Sequence, residues 1–305
     1  MDVVVAPDSF RGSLPAAVAA QAICAGLGQA GITGHALPLA DGGEGFLEVL
    51  LDRLGGRRVD VSTVDALGRP LRAPIGLLPQ GIAVVETAVA IGHAPLAGRR
   101  DPVAASTEGA GMLIAAALDR GCTQVLVGVG GSATTDGGAG AIAALGARGL
   151  GGARVRVACD VRTSFLDAAR IFGPQKGATP EDVARLTERL RALSARYLGE
   201  LGTDVDALTG SGAAGGLAGG LAALGAALEP GFDLVAQAVR LDDALRLCDA
   251  VAARLEAEGV HVVTLRALAL PGQDPLADAE TLARRAGLTV GQRLSRSASG
   301  RVGRP

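Results

Sequence analysis

The residues of this chain best suited to chemistry fall in five short loops, each rich in acids or glycines and each following a run of strand-forming residues. They are Pro7-Asp8-Ser9-Phe10-Arg11-Gly12-Ser13, Ala40-Asp41-Gly42-Gly43-Glu44-Gly45, Gly130-Gly131-Ser132-Ala133-Thr134-Thr135-Asp136-Gly137-Gly138, Ala158-Cys159-Asp160-Val161 and Phe172-Gly173-Pro174-Gln175-Lys176-Gly177. Open α/β sheets bind their ligands at the carboxyl ends of strands. Glycines there let backbone N–H groups cradle phosphate oxygens, and a following helix N-terminus adds a favourable field. Aspartates at the same edge can hold Mg2+ or take a proton from an attacking hydroxyl. Gly and Asp are also ordinary turn residues, so one such loop would mean little. Five of them argue for phosphoryl transfer, which needs anchored phosphates, a metal, charge neutralisation and a base.

On this reading Asp8, Arg11, Asp136, Asp160 and Lys176 are the candidate catalytic groups, with Asp136 and Asp160 as metal ligands. Ser9, Asp41, Gly42, Gly43, Gly130, Gly131, Ser132, Thr134, Gly137 and Gln175 are the candidate contacts to substrate or nucleotide. Asp8, Asp41, Asp136 and Asp160 are expected to converge on one cleft, with Asp8 toward the substrate and Asp136 toward the nucleotide-side metal. Four carboxylates would repel, so a metal, Arg11 or Lys176 should share the space. The bland alternative for any of these acids is a helix cap, a role Asp fills well. Lys176 is the one lysine among 29 basic residues and sits in a Gly-flanked turn, where a flexible point charge suits an anion.

Other motifs give less. No G-x-x-x-x-G-K-[ST] sequence is present, which excludes a Walker A loop. Gly128-Val129-Gly130-Gly131-Ser132-Ala133 fits the loose dinucleotide form, but the next strand-end acid, Asp160, comes later than that fingerprint requires. It leaves a Rossmann oxidoreductase as a minor competing reading. Ser132 is outside the G-x-S-x-G elbow of acyl-transfer enzymes. His35, His93 and His261 have no acid–nucleophile motif around them and read as packing or surface residues. The Gly/Ala tract at 210–227 reads equally as close helix packing or as backbone approaching a ligand.

The elements that must position these loops alternate between strand and helix. Residues 2–6 and 35–40 read as strands, and an Ala-rich helix with Ser13 as N-cap and Pro15 in its first turn runs to about Gly28. FLEVLLDRL (46–54) reads as helix. This rhythm belongs to an α/β sheet. At Arg57 the texture changes: RVDVSTVDA, PLRAPIGLL and GIAVVETAV predict an antiparallel patch that opens a second domain. Helices are expected over TEGAGMLIAAALDRG, GAGAIAALGARG, the long segment after Thr179-Pro180, and 239–257. Strands are expected over TQVLVGVG, RVRVACD and HVVTLRALAL. The expected division is 1–60 with 245–305 as one domain and 61–244 inserted, the last ten or so residues being disordered.

Composition narrows the function. Net charge is −2, from 29 basic and 31 acidic residues, which argues against nucleic acid or an anionic membrane as partner. Mean hydropathy is +0.35, yet no run approaches the roughly 20 apolar residues a spanning helix needs. Four scattered cysteines without C-x-x-C spacing and an N-terminus with an acid at position 2 point to the cytoplasm, with the cysteines as small core residues.

APDSFRGS, ADGGEG, GVGGSATTDGG, ACDV and FGPQKGATPE, in this order, resemble the bacterial-type glycerate kinase family, as do GSGAAGGLAGGLAALGAAL and PGFDLVAQAVRLDDAL. The resemblance runs from residue 1 to about 265. It implies a Rossmann-like or flavodoxin-like domain with a second α/β domain inserted. It also implies ATP-dependent, Mg2+-assisted phosphorylation of D-glycerate, with 2-phosphoglycerate favoured over the 3-isomer; a homodimer is left open. Three features depart from the family. Lys is usual where Arg11 stands. The TGEGRxDxQTxxGK segment is missing, so that Asp249-Ala250 runs directly into VAARLEAEGVHVV. The chain is also shorter between LGARGL and RVRVACD and after Thr264-Leu265. The alternative these losses raise is a catalytically impaired scaffold that binds glycerate or nucleotide without turnover.

Overall fold

The computed structural model describes residues 2–10 and 14–247. Arg11, the Ser13 cap, His261, the strand expected after it and the tail lie outside the described residues. The chain divides into two compact units, one built on Met1–Ala40 and the chain from Ala236, the other on Asp41–Val235.

In the first unit β1 (Asp2–Val5) and β2 (Thr33–Ala36) pair in parallel around α1 (Ala16–Gln29). Val3, Val5, Ala20, Leu27 and Ile32 are buried together and hold the three elements. The second strand ends at Ala36 rather than Ala40. Leu37 and Leu39 still donate to Val5 O and Pro7 O (2.8 and 2.9 Å), but Pro7 and Pro38 have no N–H to continue the ladder. α1 starts after Pro15, and Phe10 and Leu14 exchange both backbone hydrogen bonds across the loop before it.

The second unit opens with α2 (Phe46–Leu54), followed by β3 (Arg57–Val64), β4 (Pro70–Leu78) and β5 (Ile82–Glu86). Next come α3 (Ala88–Ile91), α4 (Glu108–Leu118), β6 (Gln124–Gly128), α5 (Ala139–Leu145), β7 (Arg154–Ala158), α6 (Ala168–Phe172) and α7 (Pro180–Leu201). α8 (Leu217–Ala223), β8 (Ala227–Glu229) and α9 (Gly231–Ala238) follow, and α10 (Leu241–Leu247) lies in the first unit. The six strands form one sheet in order β3-β4-β5-β6-β7-β8. β3, β4 and β5 are antiparallel neighbours, as the period-two alternation predicts; β5 to β8 run parallel. The protein is therefore of the mixed α/β class.

The pleat sorts the covering helices. Ile75 is fully buried with Leu113 and Ile114 of α4, whereas a Cβ on the adjacent Gly76 would lie 2.7 Å from Leu47 Cδ1 of α2. Neighbouring residues on a strand face opposite sides, so α2 and α4 cover opposite faces of the sheet. This packing places α2 in the second unit, which begins at Asp41; the boundary expected at residue 60 falls inside β3. Thr179 caps α7 through a reciprocal pair with Asp182, Pro180 opening the helix as expected. The Gly/Ala tract turns out to be close packing. A Cβ on Gly215 would lie 2.0 Å from Thr134 O, and Gly220 presses on Gly137 and Gly138. β8 and α9, which follow the tract, have no counterpart in the sequence expectation. Arg240, at φ 57, separates α9 from α10, so the helix expected from 239 starts at Leu241.

Candidate active site

The parallel strands β5, β6, β7 and β8 end in Glu86, Gly128, Ala158 and Glu229, and the loops that leave them gather most of the expected site residues. The Asp41 loop lies across this edge: Gly130 N–H donates to Gly42 O (3.0 Å), and Gly43 N–H donates to Asp41 Oδ1 (2.8 Å). Asp41 and Asp160 meet there and their side chains hydrogen-bond one another. Asp160 Oδ1 also accepts from Gly231 N–H (3.0 Å) at the first turn of α9. Partial burial and the neighbouring Asp41 push the Asp160 carboxyl above the usual carboxylate range, against the lowering effect of the Gly231 and Phe232 N–H groups. Residue 231 has to be glycine, because a Cβ would lie 1.8 Å from Asp41 O. Cys159, between them in sequence, has its thiol pushed up to about 12 by burial and by Asp160, and is inert at neutral pH.

Asp136 is placed differently. It is buried, and its Oδ2 accepts from Thr107 N–H (2.8 Å), Thr107 Oγ1–H (2.9 Å) and Gly140 N–H (3.1 Å), while Oδ1 accepts from Gly138 N–H (3.1 Å). One carboxylate thus caps the N-termini of both α4 and α5. Thr107 Oγ1 accepts in turn from Ala141 N–H (3.0 Å). The carboxylate serves as a helix cap with both oxygens occupied by protein donors.

Lys176 is buried beside it. Its Nζ donates to Thr134 O (2.5 Å) and to Ser132 Oγ (3.3 Å), which ties the 174–177 turn to the glycine-rich loop after β6. Burial pushes its ammonium down to about 7, with Asp136 pulling the other way. Ser132 and Thr134 are buried; Gly131 and Gln175 are exposed. Gly137 is a packing residue: its N–H donates to Gly215 O and its carbonyl accepts from Tyr197 Oη (both 3.0 Å). In the first unit Asp8 is exposed and accepts from Ser9 N–H (2.6 Å). The structure therefore pairs Asp41 with Asp160 and groups Asp136, Lys176, Ser132 and Thr134.

Two residues that support the site escape the sequence reading. Glu86, at the end of β5, is buried and accepts from Leu47 N–H (3.1 Å), capping α2 behind the Asp41 loop. Burial, and then the nearby Glu44 and Glu48, push its carboxyl up. Thr107 anchors Asp136 from 29 residues away. Among the described residues no helix is long and apolar enough to cross a membrane.

A family model described as the glycerate kinase family matches residues 3–154 and 149–259. The chain belongs to the glycerate kinase family. Among curated relatives, a glycerate kinase from Bacillus subtilis (strain 168) is 37% identical over 301 residues, covering 86% of this chain and 79% of that protein. A glycerate 2-kinase from Escherichia coli (strain K12) is 35% identical with the same coverage. A crystal structure assigned as glycerate kinase 2 from Salmonella typhimurium LT2 superposes with a TM-score of 0.81 at 30% identity, covering 98% of this chain and 99% of that one. The family, and with it the kinase class of the enzyme, agrees with the resemblance carried by the five loops.

Proposed function

We propose that the protein transfers a phosphoryl group from ATP to D-glycerate, giving a phosphoglycerate, with the 2-phospho product ahead of the 3-isomer. The relatives' names supply the substrate, and the pairing of Asp41 with Asp160 at the strand edge is the observation that carries the chemistry. Mg2+ usually takes one or two carboxylates and completes its shell with waters and phosphate oxygens. Asp41 and Asp160 are a donor set of that kind. Among the described residues no group of three or more His, Cys, Asp or Glu could hold a metal unaided. When bound with the nucleotide, the ion would neutralise phosphate charge. The chain itself contributes the Gly130–Thr134 loop as a backbone cradle, open at Gly131 because the Gly130 and Ala133 N–H groups are bonded within the protein, and Lys176 as the positive charge behind it. Asp136 keeps that cradle in shape by capping α4 and α5. Asp8 toward the substrate and Arg11 as a charge sharing space with the acids remain the roles expected from the sequence.

An ATP-consumption assay with D-glycerate and Mg2+ tests the reading, and phosphorus NMR of the product assigns the hydroxyl. Asp8→Asn and Arg11→Ala in the same assay test those two residues. The missing segment after Asp249 favours the competing reading, a scaffold that binds without turnover. Thermal stabilisation by ATP–Mg2+ or glycerate with no ATP consumed would select it. The cytoplasm is the proposed location, and gel filtration coupled to light scattering would show whether a homodimer forms.

A further inference from the structure

The segment that follows α3 is stitched onto the glycine-rich loop. Ala133 N–H donates to Ile91 O (2.8 Å), and Gly92 and Ser132 form an isolated antiparallel bridge. His93, the residue after Gly92, is exposed. Seven residues on, Arg100 lies over the turn that carries Lys176: a Cβ on Gly177 would be 3.3 Å from Arg100 Cδ. His93 and Arg100 from the segment after α3 and Lys176 from the 174–177 turn thus come to one small region, two on the rim and one beneath the loop.

Among the described residues no carboxylate pairs with Arg100 or Lys176. Arg100 is exposed and makes no ion pair among the described residues. Lys176 spends its hydrogen bonds on a carbonyl and a hydroxyl, and the acid that acts on it, Asp136, has both oxygens on protein donors. Burial, then Arg100, then Lys176 hold the His93 imidazole below its usual range, so the three groups feel one another. Basic groups gathered in this way are pressed toward their neutral forms, and a bound anion would favour the charged ones.

We propose that Arg100 and the ring N–H of His93, with Lys176 behind the loop, form the donor side of an anion site at the Gly130–Thr134 loop, where Gly131 is exposed. Its ligand is the phosphate chain of the nucleotide rather than the carboxylate of glycerate. The choice follows from the donors an anion would meet: the Arg100 guanidinium, the Lys176 ammonium and a His93 ring N–H match a ligand with several oxygens, and a single carboxylate would leave most of them unanswered. Arg100 contributes a planar fork suited to phosphate, and His93 a ring N–H beside the loop. This assignment rests on the kinase reading for its ligand and goes beyond it in naming the two residues.

Calorimetric titration of the full chain with inorganic tripolyphosphate, and separately with D-glycerate, tests it without turnover. Both side chains are exposed, so Arg100→Ala and His93→Ala should fold. Arg100→Ala should weaken tripolyphosphate about tenfold, the loss of one charge-assisted contact, and His93→Ala a few-fold. Glycerate affinity should be unchanged in both. Arg100→Lys should recover only part of the loss. Unchanged tripolyphosphate affinity in Arg100→Ala overturns the proposal, as does a loss confined to glycerate. A parent protein that binds tripolyphosphate in the expected pattern but phosphorylates nothing would refute the glycerate kinase activity and leave the anion site standing.

Discussion

The loops after β6 and β7 each deliver one aspartate to the same edge of the sheet, and the two acids do opposite things. Asp136 is buried under four hydrogen bonds from two helix starts. Asp160 faces a second carboxyl, and its affinity for protons is raised by partial burial and by Asp41. A carboxylate whose oxygens are committed to backbone donors stabilises structure. One that shares space with another carboxylate is poised for a cation or a proton. Position at a strand end therefore does not distinguish a cap from a site; the number of donors already bound does.

Replacing each acid should separate the two roles. Asp136→Ala removes the cap from α4 and α5 together and leaves buried N–H groups unpaired, so denaturant unfolding should show a loss of about 3 kcal/mol or more. A loss under about 1 kcal/mol would mean the helices do not depend on it. Asp160→Asn should leave stability within about 1 kcal/mol of the parent while lowering turnover about a hundredfold, as expected when a group acts on charge in the reaction. Stability against pH gives a smaller, sharper contrast. Because the folded pKa of Asp160 is raised, its contribution is fully present below the ordinary carboxylate pKa and fades as pH rises through the folded value. The parent should lose some stability between mildly acidic and neutral pH, and Asp160→Asn should flatten that slope. Mg2+ should flatten it too if the pair holds the ion. The smallest effect belongs to Thr135, whose buried hydroxyl has no hydrogen-bond partner among the described residues. Thr135→Val should leave the melting temperature unchanged or slightly raised, because an unpaired hydroxyl gives way to a methyl of the same shape.

Much of the scaffold was readable because it depends on neighbours in sequence. Thr179-Pro180 announces α7, and the alternation from Arg57 announces the antiparallel strands. β8 was missed because three residues, partly exposed, carry no periodic signal. The helix expected across Arg240 was misread because a single positive φ interrupts an otherwise helical pattern. In the site, the strand-end loops were visible as glycine and acid clusters. The pairing of Asp41 with Asp160 and the saturation of Asp136 were not, because Asp41 lies 119 residues from Asp160 and Thr107, which gives two of the four donors to Asp136, lies 29 residues away. His93 was set aside for want of a local motif; its neighbours Lys176 and Arg100 are supplied by folding alone.

The chain has no tryptophan and a single tyrosine. That tyrosine, Tyr197, is buried edge-on against Phe165, with ring centroids 6.0 Å apart, and gives its hydroxyl to the carbonyl of Gly137. The protein's ultraviolet fluorescence thus originates almost wholly from one ring bonded to the glycine-rich loop. Native, unlabelled material therefore carries its own optical gauge: a ligand that shifts the loop should register as a change in the intensity or lifetime of that emission, and one that binds elsewhere should leave it dark to the event.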